Sequence, residues 1–171
     1  YCGTYGFRTA GPYGHKPAFD DMIQAASGLA HLQGVNGPPC YVTSDIADKV
    51  TAITVVYAIS MALIHKLRTG RGQEVEVPMF ETMAAFNLFE HFYGLTYDPP
   101  RGQSGYPRLF SPDRRPYATR DGYIGVLPYT DQQWQAIFRI AGREELADNP
   151  KYRSLAARLA NIDTLYAELA H

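Results

Sequence analysis

The chain has 171 residues, 46% of them hydrophobic, and a formal net charge of -1. This length and apolar content are typical of a folded domain and exclude an intrinsically disordered chain. Both signs of charge are interspersed, which argues against a nucleic-acid partner held by bulk charge. Thirteen tyrosines and eight phenylalanines predict large buried or pocket-lining aromatic surfaces. Cys2 and Cys40 are too few for a disulfide framework and fit a reduced, cytoplasmic setting.

Both ends of the chain predict a fragment from inside a longer protein. The opening YCGTYGF is typical of a strand that runs into a loop, and no signal peptide is visible. The closing LANIDTLYAELAH stops inside a helical pattern.

Residues 1–18 are rich in Gly, Pro and Tyr and predict a loop. A helical pattern begins at Phe19 or Asp20 and runs to about His31, with its apolar residues spaced for one face. GVNGPP, residues 34–39, is a turn cluster. Ser44 or Asp45 is then the candidate N-cap of the next helix.

That next helix is long and apolar and ends near Arg68, where the basic HKLR and then Gly70 are typical of a helix stop. Its apolar run, residues 50–64, is shorter than the ~20 residues that a bilayer requires. Lys49 and His65 bound this run, so the pattern favours a core helix over a membrane span.

Residues 73–79 alternate in hydrophobicity and predict a strand with Val75 and Val77 on one face. Pro78 marks an edge position or the end of the strand. Residues 80–93 predict a further helix. The expected apolar stripe of that helix consists of Met83, Phe86, and Phe89 or Phe92.

Residues 97–117 are rich in Pro, Gly and Arg and predict a linker between two domains. After it, Asp121 and Gly122 separate two short apolar runs, which indicates a β-hairpin. Thr130 with Asp131 predicts the cap of a helix that ends at Gly142. The pattern is therefore α/β before residue 97 and α+β after residue 117.

Four segments in order resemble the class III coenzyme A transferase family, the group of formyl-CoA transferase, the carnitine CoA-transferases and α-methylacyl-CoA racemase. They are YGFRTAGPYGHKPAFDDMIQAASGL, the helix that carries Asp48, LRTGRGQEVEVPMFE, and the YATRDGYIGV hairpin with the aromatic helix behind it. The resemblance implies an interlocked homodimer with a Rossmann-like large domain and a smaller α+β domain. Residues 1–96 would be part of the large domain with the catalytic Asp, 97–117 the linker, and 118–171 the start of the small domain.

The resemblance also implies a nucleophile. Counted back from Thr69 of the TGRGQ turn, the family's catalytic aspartate matches Asp48, whereas Asp45 does not match. In the transferases this carboxylate attacks an acyl-CoA thioester and passes through a mixed anhydride to an aspartyl-CoA thioester. N–H groups and the dipole at the helix start are expected to keep it ionised.

Asp48 also has a structural interpretation. With Asp45 as N-cap it occupies N3, the acidic position of a capping box. Such a residue stabilises a helix by about 0.5–1 kcal/mol and requires no chemistry.

The region before the first helix distinguishes branches of the family. The racemase branch has a His directly before its Asp, and Phe19 stands there in this chain. Phenylalanine cannot accept a proton, so exchange at an α-carbon is disfavoured. Asp20 matches an acidic position that neighbours the bound thioester in the family. The alternative for Asp20 is an ordinary acid in the first turn of a helix. Pro17 and Ala18 match positions where the family chain passes along CoA.

Two supporting residues complete the predicted site. Gln24, in the QA motif, is interpreted mainly as packing or helix support, with contact to the site as the alternative. Arg71, between two glycines, is interpreted as fixing the turn or a subunit contact, with binding of phosphate as the alternative. Formyl-CoA transferase carries a glycine-rich loop over its intermediates in the second-domain region. The linker here has GQSG at 102–105 but no glycine run, so the resemblance does not support oxalate or formate specificity.

The sequence predicts no metal site, because His15, His31, His65, His91 and His171 have no ligand spacing. It also lacks a phosphate loop and a G-x-S-x-G elbow. The predicted function is CoA transfer between carboxylic acids through Asp48, with an acyl-CoA and an acceptor acid as partners, and without a membrane or nucleic acid. The alternatives are an acyl-CoA racemase or epimerase and a catalytically silent binding or assembly module.

Overall fold

The computed structural model describes residues 1–170, which divide into two compact units, Tyr1–Ser104 and the chain from Gly105 onward. The division lies inside the segment predicted as a linker. The elements of the first unit are β1 (Cys2–Tyr5), α1 (Asp20–Ala26), α2 (Leu29–Gln33), α3 (Ile46–Thr69), β2 (Val75–Pro78), α4 (Met79–His91) and a 3-10 turn (Tyr93–Thr96).

The first unit is built on a pair of parallel strands. β1 pairs with β2 in the register Cys2↔Val75 to Tyr5↔Pro78. Parallel neighbours require a crossover connection, and α1, α2 and α3 lie within it. The strand predicted over 73–79 is thus confirmed in its central part. Pro78 ends it, because α4 begins at the next residue.

A small core joins the start of α3 to α1 and α4. Its buried members are Ile23, Ala47, Met79 and Met83. Burying a large apolar side chain contributes about 1.5–3 kcal/mol relative to leaving it exposed. The first turn of α3 is therefore held against two other helices.

The single helix predicted from residue 19 to about residue 31 is wrong, because the structure has α1 and α2 in its place. Gly28 between them has φ 84°, in the left-handed region. Glycine adopts this conformation without a Cβ penalty and commonly ends helices. The apolar spacing continues across the break and hides it in the sequence.

The apolar stripe predicted for α4 is also wrong except at Met83. Phe86 and Phe89 are 56% and 87% exposed, and Asn87 is buried instead. The Asn87 side-chain amide donates to the carbonyl oxygen of Ser27 at 3.3 Å and to its hydroxyl at 3.0 Å. Because a buried amide is tolerated when it is hydrogen-bonded, this contact sets the buried face of α4.

The prediction of a core helix for residues 50–64 is wrong for the described chain. Only 6% of the residues in the most apolar 18-residue stretch of α3 are buried. In length and composition alone α3 meets the requirement for a membrane span, which core helices of globular proteins also meet. One side of the helix packs on the strand pair, α1 and α4, and most of the large apolar side chains on the rest of the helix are exposed.

The second unit contains α5 (Pro107–Phe110), β3 (Tyr117–Ala118), β4 (Tyr123–Ile124), α6 (Asp131–Ile140), α7 (Glu144–Ala147), α8 (Leu155–Ala160) and α9 (Ile162–Ala170). β3 and β4 are antiparallel, which confirms the predicted hairpin in a shorter form. The buried core of the second unit consists of Trp134, Phe138, Leu146, Tyr152, Ile162, Leu165 and Tyr166.

The predicted cap of α6 is confirmed. The Thr130 hydroxyl accepts from the Gln133 backbone N–H at 3.2 Å. The Gln133 side-chain oxygen accepts from the Thr130 backbone N–H at 3.0 Å. This is a capping box, in which two donors at a helix start are satisfied reciprocally.

Candidate active site

Asp48 lies in the first turn of α3 with its side chain exposed. Asp45 is the N-cap residue, as predicted, but its side chain makes no capping hydrogen bond. The start of α3 therefore depends on another group for the N–H donors that every helix start leaves unpaired.

That group is the carboxylate of Asp20, on α1. Its Oδ1 accepts from the backbone N–H of Ala47 at 2.7 Å and from that of Asp48 at 3.1 Å. Asp20 thus caps α3 from a different helix. The family resemblance implies a place for Asp20 beside the thioester but not this capping role, because a capping residue distant in the chain leaves no local pattern.

Gln24 holds Asp20 in place from one turn further along α1. Its side chain is completely buried. Nε2 donates to Asp20 Oδ2 at 2.6 Å and to the Ser44 carbonyl oxygen at 3.4 Å. Oε1 accepts from the Val42 N–H at 2.9 Å. Gln24 therefore connects α1 to the segment that precedes α3, and its predicted supporting position is explained by these bonds.

The structure does not form the capping box that was the structural interpretation of Asp48. Among the described residues, no hydrogen bond reaches the Asp48 carboxylate, and the expected bond back to Asp45 is not made. Asp48 contributes only its backbone N–H to the cap. Its carboxylate is left available to a ligand.

The pKa of Asp48 is shifted in the direction opposite to the one expected from the helix dipole. Burial raises the pKa of the Asp48 carboxyl, and the charges of Asp20 and Asp45 raise it further. The N–H groups of Ala47 and Asp48 are already bonded to Asp20. Their partial positive charge is therefore balanced by another carboxylate before it can act on Asp48.

This pKa shift predicts how stability depends on pH. Because folding raises the pKa of Asp48, the folded state holds this proton more tightly than the unfolded chain. The resulting stability is fully present below the unfolded pKa and is lost as pH rises through the folded pKa. The variant Asp48→Asn cannot ionise, so we expect it to gain stability relative to the wild type as pH rises through this acidic window.

Denaturant unfolding of both proteins at a series of acidic pH values measures the difference. The change Asp45→Asn removes one of the charges that raise the pKa of Asp48. In an Asp45→Asn background, the stability difference between Asp48 and Asn at position 48 should therefore depend less on pH. The prediction is wrong if the free energy of unfolding of Asp48→Asn falls further below that of the wild type as pH rises. That result would show that the fold stabilises the ionised carboxylate.

The predicted CoA-contacting residues lead directly into Asp20. Pro17 is exposed, Ala18 packs against the core of the first unit, and Phe19 is 71% exposed. Their loop is held at its other end by backbone contacts. The N–H groups of Arg8 and Thr9 donate to the carboxylates of Glu81 at 3.2 Å and Glu76 at 2.6 Å, two anchors that the sequence analysis missed.

Arg71 lies at the opposite end of α3 from Asp48. At about 1.5 Å per residue the helix separates them by ~30 Å, so Arg71 does not reach Asp48 of its own chain. Its backbone N–H donates to the Thr69 hydroxyl at 3.2 Å and supports the turn. The structure thus brings Asp20, Gln24 and Asp48 together and leaves Arg71 outside.

Within residues 1–170, no group of three or more His, Cys, Asp or Glu side chains is placed to hold a metal ion. His171 lies outside the described residues.

Comparison with known proteins identifies similar chains. The family model CoA-transferase family III matches residues 1–171. A succinyl-CoA:mesaconate CoA-transferase of Haloarcula marismortui is 32% identical over 160 residues, covering 91% of this chain and 39% of that protein. A succinate–glutarate CoA-transferase of Agrobacterium fabrum is 30% identical over 164 residues, covering 94% and 40%.

Among solved structures, a CAIB/BAIF family protein from Brucella suis has a TM-score of 0.67 and 29% identity, covering 99% of this chain and 45% of that one. The chain therefore spans about two fifths of the length of the curated relatives it matches.

Proposed function

Because this chain belongs to CoA-transferase family III, we propose that the whole protein transfers coenzyme A between carboxylic acids, with Asp48 as the nucleophile. One observation carries the proposal. The Asp48 carboxylate is exposed and accepts no hydrogen bond from the described chain, while its own backbone is held by Asp20. A structural acid at this position would be expected to bond its own helix start.

The proposed reaction proceeds in two mirrored halves. The Asp48 carboxylate attacks the acyl carbon of the donor thioester, which releases CoA thiolate and forms a mixed anhydride. The thiolate then attacks the Asp48 carbonyl carbon, giving an aspartyl-CoA thioester and the free donor acid. The acceptor carboxylate attacks that thioester, which releases CoA thiolate again and forms a second anhydride. This thiolate finally attacks the anhydride carbon that came from the acceptor acid, which yields the new acyl-CoA and restores the Asp48 carboxylate.

The environment of Asp48 favours this chemistry. A carboxylate with a raised pKa is more basic and a stronger nucleophile in its ionised form.

The acyl-CoA is proposed to lie along Pro17, Ala18 and Phe19, which end at Asp20. The exposed ring of Phe19 offers an apolar surface to the thioester arm. Both Asp20 oxygens accept hydrogen bonds from protein groups. We therefore assign Asp20 to hold the site together, and Asp48 to contact the thioester.

Two of the similar proteins support a substrate class, since they are named for succinyl-CoA with mesaconate and for succinate with glutarate. We propose one dicarboxylic acid as the acceptor and the CoA thioester of a different dicarboxylic acid as the donor. We further propose a Rossmann-like large domain, an interlocked homodimer, cytoplasmic location and a reaction without metal, nucleic acid or membrane.

The racemase alternative requires a base beside the substrate α-carbon. Phe19 occupies the residue before Asp20 and cannot accept a proton. The silent-module alternative requires that Asp48 stay unmodified by every thioester, and one experiment separates all three functions.

The whole protein is incubated with succinyl-CoA and a panel of dicarboxylic acids, with hydroxylamine as trap, and its mass is measured intact and after digestion. We expect a new acyl-CoA and a hydroxamate on the peptide that contains Asp48. Deuterium exchange at the α-carbon of an acyl-CoA without transfer would instead establish the racemase. Binding of CoA with neither reaction would establish a binding module.

A further inference from the structure

We propose that Asp20 and Gln24 form a relay that positions the first turn of α3, and with it the Asp48 nucleophile. The proposal rests on the proposed function. It makes Gln24 a positioning residue, because its amide acts on Asp48 through Asp20 and the cap and has no contact with Asp48 itself.

The relay uses every strong acceptor on the two side chains. Asp20 Oδ1 takes the N–H groups of Ala47 and Asp48, and Oδ2 takes the Gln24 amide. Gln24 Oε1 takes the Val42 N–H. Since Gln24 is completely buried, water does not replace a lost partner without rearrangement. The hydrogen bonds therefore join three segments: the chain at Val42 before α3, the first turn of α3, and α1.

The order of donors and acceptors gives the relay a direction. The Val42 N–H requires an oxygen on one side of Gln24, so its amide nitrogen must face Asp20. The change Asp20→Asn sets an amide against that amide. The change Gln24→Glu sets a carboxylate against the Asp20 carboxylate, at a contact that is 2.6 Å long in the wild type.

Exchanging the two groups restores the pairing. In the double variant Asp20→Asn with Gln24→Glu, the new asparagine side chain would keep an oxygen for Ala47 and Asp48 and would donate its amide to the new carboxylate. The other oxygen of that carboxylate would accept from Val42. Only the 3.4 Å bond to the Ser44 carbonyl would be lost.

The experiment compares the two single variants, the exchange variant and the wild type in the whole protein. The rate of adduct formation on Asp48 is measured in a single turnover at saturating acyl-CoA. We expect each single change to lower this rate by about 100-fold, the effect of a displacement of about 1 Å at a reacting group. The exchange variant should recover most of it.

Asp21 supplies the matched control. It lies beside Asp20 in the first turn of α1. Its side chain is exposed and forms no hydrogen bond with the described residues. The variant Asp21→Asn should therefore react at the wild-type rate. Single variants that also react at this rate, or an exchange variant that regains thermal stability without regaining the rate, would overturn the relay.

Hydrogen exchange at the backbone amides of Ala47 and Asp48 tests the relay without any activity. We expect slow exchange in the wild type, fast exchange in the single variants and slow exchange again in the double variant. Unchanged exchange in the single variants would overturn the relay even in an active enzyme. A wild type that forms no adduct, but shows the expected exchange pattern, would contradict the proposed function instead.

Discussion

Replacing Asp48 with Asn is expected to lower the rate of CoA transfer by about 10⁴-fold or more, the loss typical of removing a covalent nucleophile. The amide of Asn is similar in size to the carboxylate but does not attack a thioester. Because the Asp48 carboxylate accepts no hydrogen bond from the described residues, the cap on α3 should persist in the variant. Steady-state assays and intact-mass analysis of the whole protein measure the loss of turnover and of the adduct.

Asp45→Asn is the matched control for this prediction. Asp45 is also exposed and acidic and lies one turn earlier, but its side chain makes no capping bond and does not match the family nucleophile. Because the Asp45 charge contributes to the raised pKa of Asp48, the control should change turnover only modestly, and the adduct should stay on Asp48. Full turnover in Asp48→Asn, or an adduct mapped to Asp45, would move the chemistry to another residue.

The second large effect is expected from Gly6→Ala, which we predict to destabilise the protein by about 1–3 kcal/mol, the usual cost of overpacking. A Cβ at Gly6 would lie well inside van der Waals distance of the Cβ of Ala18. The Gly6 backbone cannot easily yield, because its carbonyl oxygen accepts from the Phe80 N–H at 3.0 Å. The strain therefore falls on Ala18, two residues before Asp20. Denaturant unfolding measures the loss, and the adduct rate reports displacement of Asp20.

Two further variants identify the cause of this loss. Gly37→Ala adds the same methyl group in open space, so its stability should stay within about 0.5 kcal/mol of the wild type. Ala18→Gly combined with Gly6→Ala removes the opposing methyl group and should restore part of the stability, because the Ala18 Cα and N remain at 3.3 Å from the added Cβ. A double variant as unstable as Gly6→Ala would show that the contact with Ala18 is not responsible.

Local patterns predicted much of this structure. The stop of α3 before Gly70, the strand around Val75 and Val77, and the capping box of Thr130 with Gln133 all depend on neighbours within a few residues. Side-chain periodicity and capping chemistry act over this range, so a sequence contains them in readable form. The family resemblance likewise pointed to Asp48 from its spacing to Thr69.

The same local patterns gave wrong answers where a distant contact competes. Asn87 is buried on α4 in place of Phe86 because it bonds to Ser27, which belongs to another helix end. The run across Gly28 has helical spacing, but the left-handed backbone there ends α1. Neither result follows from hydrophobic periodicity, since both depend on which segments the fold brings together.

The sequence alone thus determined the family, the helix that carries Asp48 and the turn that ends this helix. The tertiary structure decided what holds the start of the helix. A helix start needs acceptors for its free N–H groups, and the nearby candidate Asp45 does not supply one. Asp20, braced by Gln24, supplies it from α1. Any carboxylate that folding places at the right distance can fill this role, so only packing determines which one does.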